Sequence, residues 1–430
     1  MLWRCCRLFT PYFTVNMNRV TFLLSTLMLS QTLCAQTTLE SYTEQVVEYS
    51  LTLQQAALQS QSAEYELRRV KREYLPEIGF NRSAGIDFPG PREGRNWSWS
   101  TELQARQIIY DGGSITAQHR AQELEVEIEQ LTSNMRLREV KLEAEEAYWT
   151  LSYATEYLSS IAYYTGIIDT LRSVILRRFE EGYSPKGDLL QIESRLSDAH
   201  YQLSSAREAY DIALYSFNSL TDNSIDTPIK LSESILSTVP SLIRCNAEQM
   251  ISTHPECVIA ELRAVQGRWR VRGVNSAYMP KIDIRAYGAL QPSLPHTKSS
   301  GLELTAGAML NFSSTIFHFG ERHNAVQSAK ASQLTLELET ESIRDALRLE
   351  EQDAWTGIER TRERVVSTDK SLKIASENLE ISTYAYNEGE TTILDVMQAQ
   401  ISWLQTYKNY LRAHYDYRVA LAKYRYIIGD

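Results

Sequence analysis

The chain is poor in the two residues that most often interrupt helices. It has 430 residues but only 18 glycines and 11 prolines. From Ser114 to Glu181 there is no proline and a single glycine, Gly166. At a rise of ~1.5 Å per residue, this stretch predicts a helix roughly 100 Å long, which a compact domain cannot bury. The sequence therefore favours an elongated and mainly helical molecule.

Cysteine is equally scarce. Of five cysteines, Cys5, Cys6 and Cys34 lie near the N-terminus, and Cys245 and Cys257 lie in the middle of the chain. On one continuous helix the last two would be ~18 Å apart and could not form a disulfide. If Cys245 lies in a loop, a disulfide stays possible. We expect unpaired structural cysteines, and no spacing predicts a zinc site.

Motifs for enzymatic chemistry are absent. There is no P-loop, no GxGxxG, no HExxH and no CxxC, and the seven histidines and eight methionines are scattered. We predict no catalysis, no metal and no cofactor. A net charge of −10 without a basic patch argues against nucleic acid as a partner. An enzymatic site hidden in residues 221–246 is an alternative that no residue pattern supports.

Long hydrophobic runs are missing too, apart from the N-terminus. A mean hydropathy of −0.34 excludes a polytopic helical membrane protein. Near the N-terminus, Arg19 precedes an apolar run at 20–33, and Ala35 follows it, which predicts a signal peptide at 1–35 with Met17 as the true start. The run is shorter than the ~20 residues of a membrane-spanning helix. Because Thr32 and Leu33 fit a lipobox poorly, we expect no lipid on Cys34.

The last forty-odd residues repeat a seven-residue pattern, which predicts a coiled-coil seam. Just before it, Gly389 can end a helix, and Thr392 with Asp395 resembles a capping box that begins the next one. One column of the pattern is Val396, Trp403, Tyr410, Tyr417 and Tyr424; the other is Ile393, Gln400, Tyr407, His414, Leu421 and Ile428.

The same design occurs 207 residues earlier. Gly182 corresponds to Gly389, Asp188 to Asp395 and Gln191 to Gln398. Ser184 can cap the following helix, and Pro185 can be its first helical residue. The chain therefore carries two antiparallel pairs of long helices, each turning at a glycine-containing tip. The matching seven-residue column is Leu189, Leu196, Leu203, Tyr210 and Phe217.

Two stretches alternate between apolar and polar residues, one after Pro76 and one after Pro280. This alternation predicts β-hairpins at about 77–109 and 281–317, each with one apolar face and strands long enough to cross a membrane. The apolar positions are Ile78, Phe80, Ala84, Ile86, Phe88, Trp97, Trp99, Leu103 and Ala105 in the first, and Ile282, Ile284, Ala286, Gly288, Leu290, Leu302, Leu304, Ala306, Ala308, Leu310 and Phe312 in the second.

Each half of the mature chain is thus a helix, a β-hairpin, a very long helix, a tip and a return helix. The first repeat is 36–220 with its tip at about 180–187, and the second is 247–430 with its tip at about 387–392; residues 221–246 connect them. We expect continuous first helices at 39–74 and 247–278. Four strands cannot close a transmembrane barrel, and open edges are not tolerated in lipid, so the chain should oligomerise.

These features together resemble the TolC-type outer membrane efflux proteins over nearly the whole mature chain. The resemblance implies a homotrimer in the cell outer membrane, with four transmembrane strands per subunit forming a twelve-stranded barrel above an antiparallel coiled-coil barrel in the periplasm. It implies the passive channel of a tripartite efflux or type I secretion system, with a periplasmic adaptor and an inner-membrane pump as partners. The alternative is a non-catalytic periplasmic coiled-coil adaptor, which should lack the hairpins and carry lipoyl-like β segments.

The resemblance also assigns a periplasmic gate. Asp188, Tyr386 and Asp395 match tip residues that close the entrance in the family, and Tyr386 could donate a hydrogen bond to Asp188. Gln398 stands where the family has a second acid, and Thr391 where it has an arginine, so we expect a weaker latch and a single acidic ring. The alternative for both acids is a solvated helix start, stabilised by the helix dipole.

The adaptor should contact the tips. Phe179, Gly182, Ser184 and Gly389 are the candidate contacts, although a helix C-cap also explains both glycines. We interpret the Tyr and Trp columns as seam packing and not as a substrate path.

Overall fold

The computed structural model describes residues 37–87, 96–238, 242–292, 301–317 and 319–429. The predicted signal peptide and Phe88 lie outside the described residues. The first half contains α1 (Leu39–Tyr49), α2 (Leu51–Arg72), β1 (Glu77–Asp87), β2 (Asn96–Tyr110), α3 (Ser114–Glu180) and α4 (Lys186–Ser219). The second contains α5 (Ala247–Thr253), α6 (Pro255–Ser276), β3 (Lys281–Pro292), β4 (Leu302–Ser313), α7 (Glu321–Asn387) and α8 (Ile393–Ile428). The fold class predicted from the sequence is confirmed.

The two longest helices, α3 and α7, each have 67 residues. Both begin after a glycine in the left-handed conformation, Gly113 (φ 90°) and Gly320 (φ 84°). Ahead of α3, Asp111 accepts hydrogen bonds from the backbone N–H groups of Gly113 (3.0 Å) and Ile115 (2.6 Å). A carboxylate at this position satisfies donors that a helix start leaves unpaired.

The first helix of each half is broken, contrary to the expectation of continuous helices. Ser50 separates α1 from α2, and His254 separates α5 from α6. His254 is extended (φ −66°, ψ 128°) because the following Pro255 disfavours a helical conformation before it. Ser50 accepts a hydrogen bond from the N–H of Leu53 and so begins α2 as a cap. The breaks lie 204 residues apart, the same interval as between Pro76 and Pro280 before the two hairpins, so they belong to the repeat.

The strands form one antiparallel sheet in the order β1-β2-β3-β4. Its register places apolar residues opposite one another, as at Phe80 and Leu103, so one face is mainly apolar across all four strands. The polar exceptions on this face are Arg82, which pairs with Thr101, and Gln107, which pairs with Ile284. The other face carries polar pairs, including Arg285 with Glu102 (2.5 Å) and Asn311 with Asp283 (3.0 Å). No element of the described chain covers the apolar face, and Phe80 remains 66% exposed.

No helix in the described part of the chain is both long and apolar enough to cross a membrane.

The largest core lies where the connecting segment crosses the helices. The ring of Tyr42 stacks on Phe217 with a centroid distance of 3.7 Å. The Tyr148 hydroxyl donates to the carbonyl of Thr37 (3.1 Å) and accepts from the N–H of Glu233 (3.1 Å). Buried polar groups are tolerated only with such partners, so these bonds fix the segment on α3.

In the second half, an ion pair between a partly exposed arginine and a buried carboxylate holds the other end of the connecting segment. The Arg244 guanidinium donates to both carboxylate oxygens of Glu351 (3.0 and 2.7 Å), whose side chain is only 1% exposed. Tyr424, the counterpart of Phe217, donates to the same carboxylate at 3.4 Å. Cys245 accepts from the Tyr424 hydroxyl (3.3 Å) and is not bonded to Cys257, so the expected unpaired cysteines are confirmed.

Replacing Arg244 with alanine should lower the melting temperature by several degrees, because the Glu351 carboxylate would stay buried without its ion partner. The matched control is Arg268→Ala, which removes an exposed ion pair with Glu337. Exposed pairs contribute little, so this control should leave the melting temperature nearly unchanged. Circular dichroism of the purified variants in detergent measures both. Equal melting temperatures would show that the pair does not hold the segment.

The aromatic columns of α8 lie between helices. Val396, Tyr417 and Tyr424 are buried, and the rings of Trp403 and Tyr407 stack on each other at 5.3 Å. This placement is that of seam residues packing against neighbouring helices.

Candidate gate at the helical tips

The two tips lie side by side at the same end of the molecule. An apolar cluster joins α3, α4, α7 and α8 just inside them, and its buried members are Tyr164, Ile168, Ile175, Ile192, Ala199, Tyr386, Ile393, Val396 and Met397. Because all four helices contribute, the two helix pairs cannot separate here without exposing apolar surface.

Glycine ends the long helix at each tip. Gly182 (φ 83°) and Gly389 (φ 79°) are left-handed and exposed, and a side-chain carbon added to either would meet no atom within 4 Å. After each, an N–H donates back to the helix end: Tyr183 to the carbonyl of Arg178 (2.7 Å) and Glu390 to that of Ala385 (2.8 Å). These bonds are those of a helix C-cap.

The return helix of the first tip begins differently from the expectation. Pro185 is the N-cap and not the first helical residue, and no side chain of the described residues caps α4, so Ser184 does not serve that purpose. Pro185 is extended (ψ 153°), which leaves its carbonyl to accept from the N–H of Asp188 at 3.1 Å. Asp188 lies half-buried in the first turn.

The second tip forms the capping box predicted from its sequence. Asp395 accepts three hydrogen bonds, all at Oδ2: from the Thr391 hydroxyl (2.6 Å), the Thr392 hydroxyl (2.7 Å) and the Thr392 N–H (3.1 Å). The Thr391 hydroxyl, followed by Thr392, lowers the pKa of Asp395 below its ordinary value. The carboxylate is therefore ionised at neutral pH, and its Oδ1 accepts none of these bonds. Capping a helix and presenting a charge are compatible here.

Tyr386 is held by packing. It is 9% exposed within the apolar cluster, and the Arg178 guanidinium lies 5.0 Å from its ring centroid, a cation–π distance. Within the described residues, no hydrogen bond joins its hydroxyl to Asp188, so the expected latch is not formed inside one chain. Arg178, from the last turn of α3, instead contacts Tyr386 of α7 and adds to the apolar cluster that joins the two helix pairs.

Sequence reasoning missed Arg178. Its counterpart in the second repeat is Ala385, so the repeat does not mark it. The one available signal was indirect. Thr391 stands where the related family has an arginine, so an arginine elsewhere at the tips could take its place.

The remaining predicted tip residues are accessible. Phe179 is 36% exposed, Gly182 and Gly389 are exposed, and Ser184 is half-buried. Gln398 is exposed on α8, one turn beyond Asp395. Of these positions, Ser184 alone is partly covered within the described chain.

The sequence model for the family described as outer membrane efflux protein matches residues 43–221 and 247–430. The chain therefore belongs to the outer membrane efflux protein family, and the resemblance read from its sequence is confirmed. It is an efflux channel of the outer membrane with a helical part in the periplasm. No curated protein sequence matches the chain significantly.

Solved structures share this fold at low sequence identity. The Campylobacter jejuni CmeC outer membrane channel is 16% identical over 91% of this chain and 85% of its own, with a TM-score of 0.79. The open state of the Neisseria gonorrhoeae MtrE channel is 16% identical over 91% and 88%, with a TM-score of 0.76. The outer membrane protein VceC of Vibrio cholerae is 17% identical over 91% and 96%, with a TM-score of 0.74.

Proposed function

We propose that the protein is the passive exit duct of a tripartite efflux or type I secretion system. A periplasmic adaptor and an inner-membrane pump would deliver the substrate, and a homotrimer would form the duct. The observation that carries this proposal is the four-stranded sheet, whose apolar face and two edges have no partner in the described chain. Three copies would pair the edges and close a twelve-stranded barrel in the lipid.

The helices support the same closure. In the second half, α6 lies between α3 and α7, and Gln266 donates across to the carbonyl of Ala121 (3.0 Å). In the first half, α2 occupies the equivalent place but packs chiefly on α3. Its other side is left open, with Leu51, Leu58 and Tyr65 exposed at seven-residue intervals. The repeat therefore provides a place for α7 of a second copy beside α2, and three copies would close a ring.

Purification from the outer membrane tests the proposal. A trimer should run as such on denaturing gels until heated, form channels in planar bilayers and co-purify with an adaptor. Deleting the gene should raise sensitivity to exported compounds. A monomer released from membranes without detergent, with no channel activity, would favour the alternative adaptor role.

We propose further that Asp188, Tyr386, Asp395 and Gln398 line or hold the periplasmic entrance, and that Phe179, Gly182, Ser184 and Gly389 contact the adaptor. Three Asp395 carboxylates around one axis would attract cations and repel anions. The lowered pKa of Asp395 keeps each carboxylate charged at neutral pH, and Oδ1 takes no part in the capping bonds, so such a ring would carry its full charge.

Asp395→Asn should weaken block of single-channel current by multivalent cations at neutral pH, because it removes three charges from the ring. The amide oxygen can still accept from Thr392, so the helix start should persist. In the unmodified channel, block should also fade as the pH drops through the lowered pKa of Asp395. The matched control is Glu390→Gln, which removes an exposed charge from the same tip. Unchanged block in Asp395→Asn would remove Asp395 from the pore.

A further inference from the structure

Phe319, just before α7, has an unusual backbone. Among the described residues it is the one non-glycine residue with a positive φ (44°), and its side chain is 90% exposed. Its ring lies edge to face on that of Phe317 at a centroid distance of 4.4 Å, and Phe317 is itself 67% exposed. A bulky residue rarely adopts this conformation, and such strain points to a use for the side chain.

The first repeat shows what lies opposite this position. Phe319 corresponds to Gly112, which precedes α3 as Phe319 precedes α7. Gly112 lies against the turn between α6 and β3. A side-chain carbon added to it would meet the Cβ of Met279 at 2.5 Å and the carbonyl oxygen of Ser276 at 2.6 Å. We call this contact between Gly112 and the turn the glycine joint. Only glycine fits at its centre, because any side chain would overlap the turn.

The turn between α2 and β1 is a copy of the turn between α6 and β3. The N–H of Leu75 donates to the carbonyl of Arg72 (2.8 Å), as that of Met279 does to Ser276 (3.0 Å), and a proline follows each. The two turns differ in their surroundings. Met279 is half-buried by the junction that contains Gly112, whereas Leu75 is 61% exposed.

We propose that Phe319 of one subunit packs on Leu75 of the next. This rests on the proposed trimer, in which the second repeat of one copy meets the first repeat of its neighbour. The repeat places the two side chains opposite each other, and both are apolar and uncovered in the single chain. Their mutual burial removes apolar surface from water and offsets the backbone strain at Phe319.

The proposal has a geometric consequence. Because Phe319 carries a Cβ where Gly112 has none, the joint between subunits must be wider than the joint within a subunit. Around the trimer, narrow contacts within subunits, each with Gly112 against its turn, would alternate with wider contacts between subunits, each filled by Phe319.

Cross-linking in native membranes tests the contact. Leu75→Cys and Phe319→Cys are introduced into the full chain with Cys245→Ser and Cys257→Ser, and the membranes are oxidised with copper phenanthroline. A disulfide needs Cβ atoms about 3.5–4.5 Å apart. The two Cβ atoms can approach to this distance once the bulky Leu75 and Phe319 side chains are replaced by cysteine. We expect most of the protein to run as covalent dimers and trimers after heating. The matched control pairs Phe319→Cys with Leu58→Cys, which is about as exposed as Leu75 but lies 17 residues before it, within α2, and should not cross-link.

Heat-sensitive trimers without cross-links would overturn this contact and leave the proposed function standing. Absence of trimers in the unmodified protein would overturn both. If the double variant fails to assemble, Phe319→Gly provides the test. Glycine relieves the strain of the positive φ but removes the aromatic ring. Trimers of this variant should therefore dissociate at a lower temperature than those of the unmodified protein. An unchanged or higher dissociation temperature, as expected if Phe319 only contacts lipid, would overturn the proposal.

Discussion

In the proposed gate, replacing Tyr386 with alanine is expected to widen the periplasmic entrance, whereas Tyr386→Phe is expected to leave its width unchanged. The ring is buried between the two helix pairs, and truncating a buried aromatic side chain costs on the order of 3 kcal/mol. Three subunits would bear this loss. The hydroxyl has no partner in Asp188, so removing it should cost little. Arg178→Ala should open the end to a smaller degree, since a partly buried cation–π contact contributes about 0.5–2 kcal/mol, less than the whole ring.

Single-channel conductance in planar bilayers measures the opening. Uptake of a large antibiotic that the outer membrane normally excludes provides a second measure in cells. The alanine variant should conduct more than the unmodified channel, and the phenylalanine variant should match it. If Tyr386→Phe also opened the channel, the hydroxyl would matter, and a hydrogen bond to Asp188 of a neighbouring subunit would explain the closed state better than packing does.

Replacing Leu103 with arginine is expected to prevent assembly in the outer membrane. Leu103 lies at the centre of β2 on the apolar face and is 57% exposed in the single chain. An arginine facing lipid near the membrane centre costs about 2–4 kcal/mol, and each of three subunits would carry one. In a water-soluble protein, the same exposed position would tolerate the change.

Gln104→Arg is the matched control, because Gln104 is the next residue of β2 and faces the polar side, beside Gly79. It should assemble as heat-sensitive trimers in the outer membrane fraction, whereas Leu103→Arg should be degraded or remain outside that fraction. Normal assembly of Leu103→Arg would show that the apolar face does not contact lipid.

The parts of the fold that were predicted correctly depend on local patterns in the sequence. Alternation of period two places the apolar face of the sheet, and positive-φ glycines such as Gly182 and Gly389 end the long helices. The break at His254 had a local signal, the following proline, which was overlooked. The break at Ser50 had only a capping serine, and such residues also occur within helices.

The candidate site was less accessible to prediction. Asp395 was recognised because a capping box is a local motif. The contact of Arg178 with Tyr386 joins residues far apart in sequence, and no periodicity marks it. The missing bond between Tyr386 and Asp188 has the same origin: the apolar cluster and not the hydroxyl determines where the ring lies. Such contacts are determined by tertiary packing, which a pattern in the sequence does not reveal.

The connecting segment has a mechanical consequence. Its residue Glu233 is hydrogen-bonded to Tyr148 of α3, and the carbonyl of Ser237 accepts from Arg418 of α8 at 2.7 Å. The segment therefore crosses both helix pairs at one level, and we call this crossing the girdle. Between Tyr148 and the end of α3, the helix runs on for roughly 50 Å. A pivot of only a few degrees at this girdle would swing the far ends by several ångströms. In the proposed channel, each long helix would act as a lever with its fulcrum at the girdle, so a small rotation there would widen the proposed entrance.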